Sequence, residues 1–201
     1  MTIQNVDLSA LISTRICHDL INPIGAINNG LELLDAVGTA PGPELSLVSD
    51  SASSATAKLN VFRLAFGDVK TSSEVKGEQV ALMIRNMYEG GRVSVDWQTA
   101  ELGYKRHEIK LALLLLFCLE SALPFGGETT VSYASGIWTF KATGRKIAIN
   151  QDLWGMTTGG AMLEDTSASD VHFLVARLCS DENAKKITLH NTEEEIIVMV
   201  S

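Results

Sequence analysis

His18 stands in the run Arg15-Ile16-Cys17-His18-Asp19-Leu20-Ile21-Asn22-Pro23-Ile24-Gly25-Ala26-Ile27, where a titratable ring is followed directly by a carboxylate and then by an amide and a proline. Unperturbed imidazole has a pKa of about 6.5, so near neutral pH it is largely uncharged and offers a nucleophilic nitrogen. At about 100° per residue, Ile12, Ile16, Leu20, Ile24, Ile27, Leu31 and Leu34 fall within about 60° of one direction. On the same wheel His18 points about 170° from the middle of that stripe, so it faces outward. Arg15, Asn22, Gly25 and Asn29 share its face, and Leu11 and Ile21 flank it. The face thus offers a nucleophile, a cation, amides and a stretch of bare backbone. Gly25 lowers helix stability by roughly 1 kcal/mol relative to alanine, which suggests that another body must come close there. Pro23 removes one helical hydrogen bond and is expected to bend the helix near His18. By position alone, a solvated surface histidine accounts for His18 equally well, and the residues leave both readings open.

The elements that would position this face begin with a helix starting near Asp7, a good N-cap, and ending near Val37, before Gly38-Thr39-Ala40-Pro41-Gly42-Pro43. A second helix opens at Glu44. Its apolar positions Leu45, Val48, Ala52, Ala55, Leu59, Phe62 and Phe66 are spaced 3-4-3-4-3-4, the repeat of a bundle seam. At about 1.5 Å per residue the two rods are roughly 35 to 45 Å long. A short turn makes them an antiparallel hairpin, and a hairpin alone leaves both stripes wet. A second copy of the chain, completing a four-helix bundle, would cover them; the C-terminal half is the other candidate.

Polar residues around Gly67 to Gly77 read as a linker, after which the pattern changes. A helix near Gln79 to Tyr88 precedes Gly90-Gly91 and an alternating strand at Val93, Val95 and Trp97. A helix from about Arg106 to Ala122 carries the apolar block Leu111 to Leu119 and stops at Pro124-Phe125-Gly126-Gly127. Strands are expected near Thr129 to Tyr133 and Ile137 to Ala142, with a short one at Lys146 to Ile149. A helix over Ser169 to Ser180 turns Val171, Leu174, Val175 and Leu178 inward, and Ile187 to His190 with Ile196 to Val200 form a closing hairpin. The fold class expected is α+β: a helical hairpin over residues 1–70, followed by a two-layer α/β sandwich over residues 71–201.

Composition narrows the function classes. A net charge of -8 over 201 residues argues against nucleic acid as a partner, since phosphate binding needs a basic face. Leu111 to Leu116 is too short to cross a membrane, and the N-terminus has no signal-peptide pattern. Cys17, Cys118 and Cys179 are odd in number and widely spaced. They support neither a disulfide framework nor a zinc site and suit a reducing cytoplasm. Cys118 reads as core. Cys17 projects about 100° from His18 and so is not simply paired with it. Trp97, Trp138 and Trp154 read as packing residues.

The segment from His18-Asp19-Leu20 through Asn22-Pro23, Ala26-Ile27 and Asn29-Gly30-Leu31-Glu32-Leu33-Leu34 resembles the H-box of sensor histidine kinases. More closely, it resembles the ChpT-type histidine phosphotransferases of alphaproteobacteria. Ala112 to Gly127 is similar to the helix and turn that carry a kinase N-box, and the final helix and hairpin to the end of a kinase ATPase domain. The resemblance implies a homodimeric four-helix bundle followed by a degenerate ATPase-like domain. Phe117 and Ser121 stand where amides would meet Mg²⁺ and phosphate, and Ala142 where an acid would recognise adenine. Gly155-Met156-Thr157-Thr158-Gly159-Gly160 lacks a P-loop ending and reads as a flexible surface loop. No intrinsic cofactor or metal site is therefore expected.

What the resemblance implies for mechanism is a shuttle. A receiver domain of a CckA-type hybrid kinase passes a phosphoryl group to His18, and response regulators of the CtrA and CpdR type take it onto an aspartate. The receiver supplies Mg²⁺. Asp19 would hold the ring tautomer, Arg15 would neutralise phosphate charge and Asn22 would hydrogen-bond it, while Leu11, Ile21 and Gly25 would form docking surface. An ATP-dependent kinase core and a non-catalytic dimerisation adaptor are the alternatives.

Overall fold

The structure is a computed structural model that describes residues 8–37, 43–67, 74–99 and 103–201. It is a mixed α+β fold. In chain order the elements are α1 (Leu8–Val37), α2 (Pro43–Ala65), β1 (Glu74–Lys76), α3 (Gly77–Tyr88), β2 (Val93–Trp97), β3 (Gly103–Lys105), α4 (Arg106–Ala122), β4 (Gly127–Ala134), β5 (Ile137–Thr143), α5 (Gln151–Thr157), α6 (Val171–Glu182), β6 (Ile187–Asn191) and β7 (Glu195–Val200). A 3₁₀ turn, Ala168–Asp170, leads into α6. The expected cap at Asp7 and the turn at Gly38 to Gly42 lie outside the described residues.

The C-terminal lobe is built on a five-stranded sheet of order β2-β4-β5-β7-β6. The β2–β4 pair is parallel, with α4 in the crossover, and the other pairs are antiparallel. The β4–β5 hairpin turns through Ser135 (φ 52) and Gly136 (φ 82). Two left-handed residues in succession match a type I′ turn, whose twist suits the flanking strands. β1 and β3 pair in a separate two-stranded ribbon, which lies partly in the segment expected to be linker. From β3, Tyr104 sets its ring 4.9 Å from that of Trp138.

α4 is the centre of the core. Every residue from Leu111 to Leu119 is buried, because this helix has neighbours on all sides: α2, α6 and the sheet. Its start is fixed where the Lys105 amide donates to the Glu108 carboxylate, 3.2 Å away. α5 begins at Asn150, whose side-chain oxygen accepts from the Asp152 and Leu153 amides, each at 3.2 Å. That helix takes in Gly155 to Thr157, so this part of the expected surface loop is regular, and Met156 and Thr157 are buried. Lys146 to Ile149 is not a strand. It follows the β6–β7 turn through one bond, from the Ile147 amide to the Glu193 carbonyl.

The hairpin is covered unevenly. The C-terminal end of α2 packs on α3 and α4, burying Ala57, Val61, Phe62, Leu64 and Ala65. Near its start α1 meets α6 and the 3₁₀ turn, and Ile12 and Ile16 pack against the core there. Farther along, Ile24 and Leu31 on α1 and Leu45 and Leu59 on α2 are each about half exposed. A hairpin alone is expected to leave its stripes wet, and at these positions it does, because the lobe reaches only one end of it. Pro23 and Gly30 on α1 are buried. α1 runs unbroken through Pro23.

Candidate functional site

His18 is exposed on α1, as the wheel predicts, and its ring makes no hydrogen bond among the described residues. One turn before it, the Arg15 Nε donates to the Asp19 carboxylate at 2.8 Å, and Arg15 Nη1 donates to the Ser169 carbonyl at 2.5 Å. Arg15 and Asp19 are side by side because residues four apart share a helix face. The expected contact between Asp19 and the imidazole is not made: the carboxylate has turned toward the guanidinium. Asn22 is exposed, and Ile21 is 63% exposed. A Cβ built on Gly25 would meet nothing within 4 Å, so the backbone here is open to a visitor from outside the chain. Leu11 is half-buried and packs against the core, which leaves it less of a docking surface than Ile21.

The lobe meets α1 through α6 and the 3₁₀ turn before it, and α3 and α4 are joined to each other beside that junction. The Tyr88 hydroxyl donates to Glu120 at 3.0 Å. Glu120 also lies 3.7 Å from the Arg92 guanidinium, whose Nη1 donates to the Leu123 and Pro124 carbonyls, each at 3.0 Å. Burial, and then the charge of Glu120, push the Tyr88 hydroxyl well above its ordinary pKa, while Arg15 acts in the opposite sense. These residues fix the turn after α4. Within it Gly126 has φ +82, and a Cβ there would meet the Arg92 carbonyl oxygen at 2.2 Å.

Phe117 and Ser121, at the positions where a kinase has amides, are taken up by packing. Phe117 stacks against Phe66 (6.1 Å between centroids) and meets Phe62 edge-on (5.8 Å). The Ser121 hydroxyl donates to the Phe117 carbonyl at 3.1 Å. Its one hydrogen is thereby used, so it accepts from His172 Nε2, also 3.1 Å away. His172 is fully buried and its Nδ1 has no hydrogen-bond partner among the described residues. Desolvation, and then the positive charge of Arg15, lower its pKa to about 3. The one signal for this residue in the sequence is a histidine within the apolar run Val171-His172-Phe173-Leu174-Val175, and periodicity alone assigns it no role.

A stability prediction follows from His172. In the unfolded chain the ring takes a proton below about pH 6.5, whereas in the fold it stays neutral down to about 3. The unfolded state therefore binds more protons across that window, and stability falls as pH drops from 6.5 toward 3. Between pH 7 and pH 5 the loss due to this group is expected to be about 2 kcal/mol. Urea unfolding at the two pH values checks it. The pH-dependent difference should shrink by that amount in His172→Phe, whatever the variant's absolute stability.

Among the described residues no group of acids, histidines and cysteines is arranged to hold a metal ion, and no helix is long and apolar enough to cross a membrane. All three tryptophans are buried, as is Cys118, while Cys17 is exposed.

Residues 78–195 match the family model described as histidine phosphotransferase C-terminal domain. The chain is 30% identical over 202 residues to the protein phosphotransferase ChpT of Brucella abortus (strain 2308), a match that covers 98% of this chain and 96% of that one. It also superposes on a solved structure of a bacterial phosphotransferase with a TM-score of 0.82 and 29% identity, covering 100% of this chain and 98% of the other. The matched span takes in α4, its closing turn and His172, and the relative's match extends through the exposed face of α1. This chain belongs to the histidine phosphotransferase family.

Proposed function

We propose that this chain is a phosphorelay histidine phosphotransferase, in which His18 accepts a phosphoryl group from an aspartyl phosphate on a receiver domain and hands it to the aspartate of a response regulator. The observation that carries this reading is the exposed imidazole of His18 on an outward helix face, without a hydrogen bond among the described residues, in a chain of this family. A ring nitrogen attacks phosphorus as the P–O bond to the donor aspartate breaks, and the reverse exchange delivers the group onward. Such a transfer depends on alignment and charge neutralisation more than on covalent assistance. Arg15 supplies a cation one turn from the ring, and Asn22 supplies an amide on the same exposed face. Ile21 and the open backbone at Gly25 form the surface against which the receiver rests, and the receiver brings its own Mg²⁺. Residues 1–70 then form the phosphotransfer and dimerisation unit, residues 71–201 an ATPase-like unit that holds it, and the protein works in the cytoplasm.

The half-exposed row of Ile24, Leu31, Leu45 and Leu59 supports a homodimer in which two hairpins make a four-helix bundle. The filling of the α4–α6 junction by Phe117, His172 and Phe173 supports a carrier that does not charge itself from ATP. Incubation with γ-labelled ATP and Mg²⁺ alone is expected to leave the protein unlabelled. A labelled phospho-receiver is expected to transfer acid-labile, alkali-stable label to it. Label acquired from ATP without a receiver would favour a kinase core instead.

A further inference from the structure

Arg15 does two things at once. Its Nε is bound to Asp19 at 2.8 Å, and its Nη1 reaches across to the Ser169 carbonyl at 2.5 Å, where the C-terminal lobe begins α6. The segment it holds is a tight turn: the Ser167 hydroxyl donates to the Asp170 carboxylate at 2.6 Å, and the Asp170 amide donates to the Ser167 carbonyl at 3.0 Å. Two residues beyond Asp170 lies the buried His172, so this contact pins the start of a core helix to the helix that carries His18.

We propose that Arg15 is a tie that responds to phosphorylation: it holds the start of α6 against α1 while His18 is empty, and a phosphoryl group on His18 captures the guanidinium and releases Ser169. The proposal rests on His18 being the phosphoacceptor. Arg15 and His18 are three apart on one helix face, with Cβ atoms about 5–6 Å from each other in such a pair. A phosphoryl group brings roughly two negative charges and three strong acceptor oxygens into that space. Guanidinium binds phosphate best through two parallel N–H bonds. Two of the five N–H donors of Arg15 are committed, one to Asp19 on its own helix and one to Ser169 in the C-terminal lobe. The phosphoryl group stands on the exposed face of α1, so turning a parallel pair of N–H groups onto it draws the guanidinium away from one of these two partners. Ser169 offers a neutral carbonyl and Asp19 a carboxylate, so the neutral acceptor is the one given up. The empty and loaded forms then differ in how firmly the lobe is held beside the active face, which gives donor and acceptor receivers different surfaces to meet.

The test uses the full chain treated with phosphoramidate, a small donor that needs no receiver. Its P–N bond breaks as a ring nitrogen–phosphorus bond forms, ammonia leaves, and the displaced ring proton goes to solvent. Mass spectrometry locates label on His18, and hydrogen exchange follows the peptide spanning residues 165–173. Labelled wild type is expected to exchange about tenfold faster there than unlabelled protein, the factor that corresponds to losing a charge-assisted hydrogen bond. Arg15→Gln should already exchange at the faster rate and should not respond to label. Arg15→Lys, with a single-point cation, should resemble Arg15→Gln. A purely structural Arg15 would change the basal rate without removing a label-dependent difference. Label on His18 with unchanged or slower exchange overturns the proposal alone. Wild-type exchange in Arg15→Gln does the same. No label on His18 overturns it together with the phosphoacceptor reading.

Discussion

Replacing His18 with glutamine is expected to abolish phosphoryl acceptance from a phosphorylated receiver, a loss of roughly 10³-fold or more. Glutamine keeps a polar side chain of similar reach, but its amide nitrogen shares its lone pair with the carbonyl and cannot attack phosphorus. The fold should not notice. His18 is exposed and makes no hydrogen bond among the described residues, and substitutions at such sites usually stay within about 0.5 kcal/mol. Glutamine is also a better helix former than histidine. The expected result is an unchanged melting temperature with no label on the variant in a receiver-transfer gel. Residual label at even a tenth of wild type would move the acceptor to another residue.

The second large effect is on assembly. Ile24→Glu combined with Leu31→Glu is expected to convert the proposed dimer to a monomer, read as molar mass by light scattering after gel filtration. Both side chains are about half exposed in the single chain, and glutamate suits a helix, so the hairpin itself tolerates the change. At a two-fold interface each substitution occurs twice, and a carboxylate buried without a partner costs several kcal/mol. A weakening of the dimer by about 10³-fold or more follows. Wild-type protein that runs as a monomer at micromolar concentration would remove the bundle from the proposal and leave the apolar row in need of another cover.

Much of the architecture was legible because helices and strands are written in local periods. The helix at Arg106 to Ala122 and the strands at Val93 to Trp97 and Ile196 to Val200 stand where apolar spacing and turn residues put them. Elements too short to show a period were missed. The ribbon of β1 and β3 has only three residues per strand, and α5 is a single pair of turns. Conversely, Lys146 to Ile149 alternates like a strand and is not one, since the strand next to β5 is β7 and no edge remains for it beside β5.

By itself, the sequence determined which residues lie on which face of α1. A period near 3.6 and the residue types were enough to turn His18 outward and to put Arg15 and Asn22 beside it. Tertiary structure alone decided what those neighbours touch. Arg15 finds a carbonyl 154 residues away, Asp19 turns to Arg15 rather than to the imidazole, and His172 loses its water beneath Phe117. The reason is the range of the forces. Helical phase is fixed by bonds between residues four apart, whereas a hydrogen-bond partner or a desolvated ring depends on how distant segments pack, and no short stretch of chain encodes that.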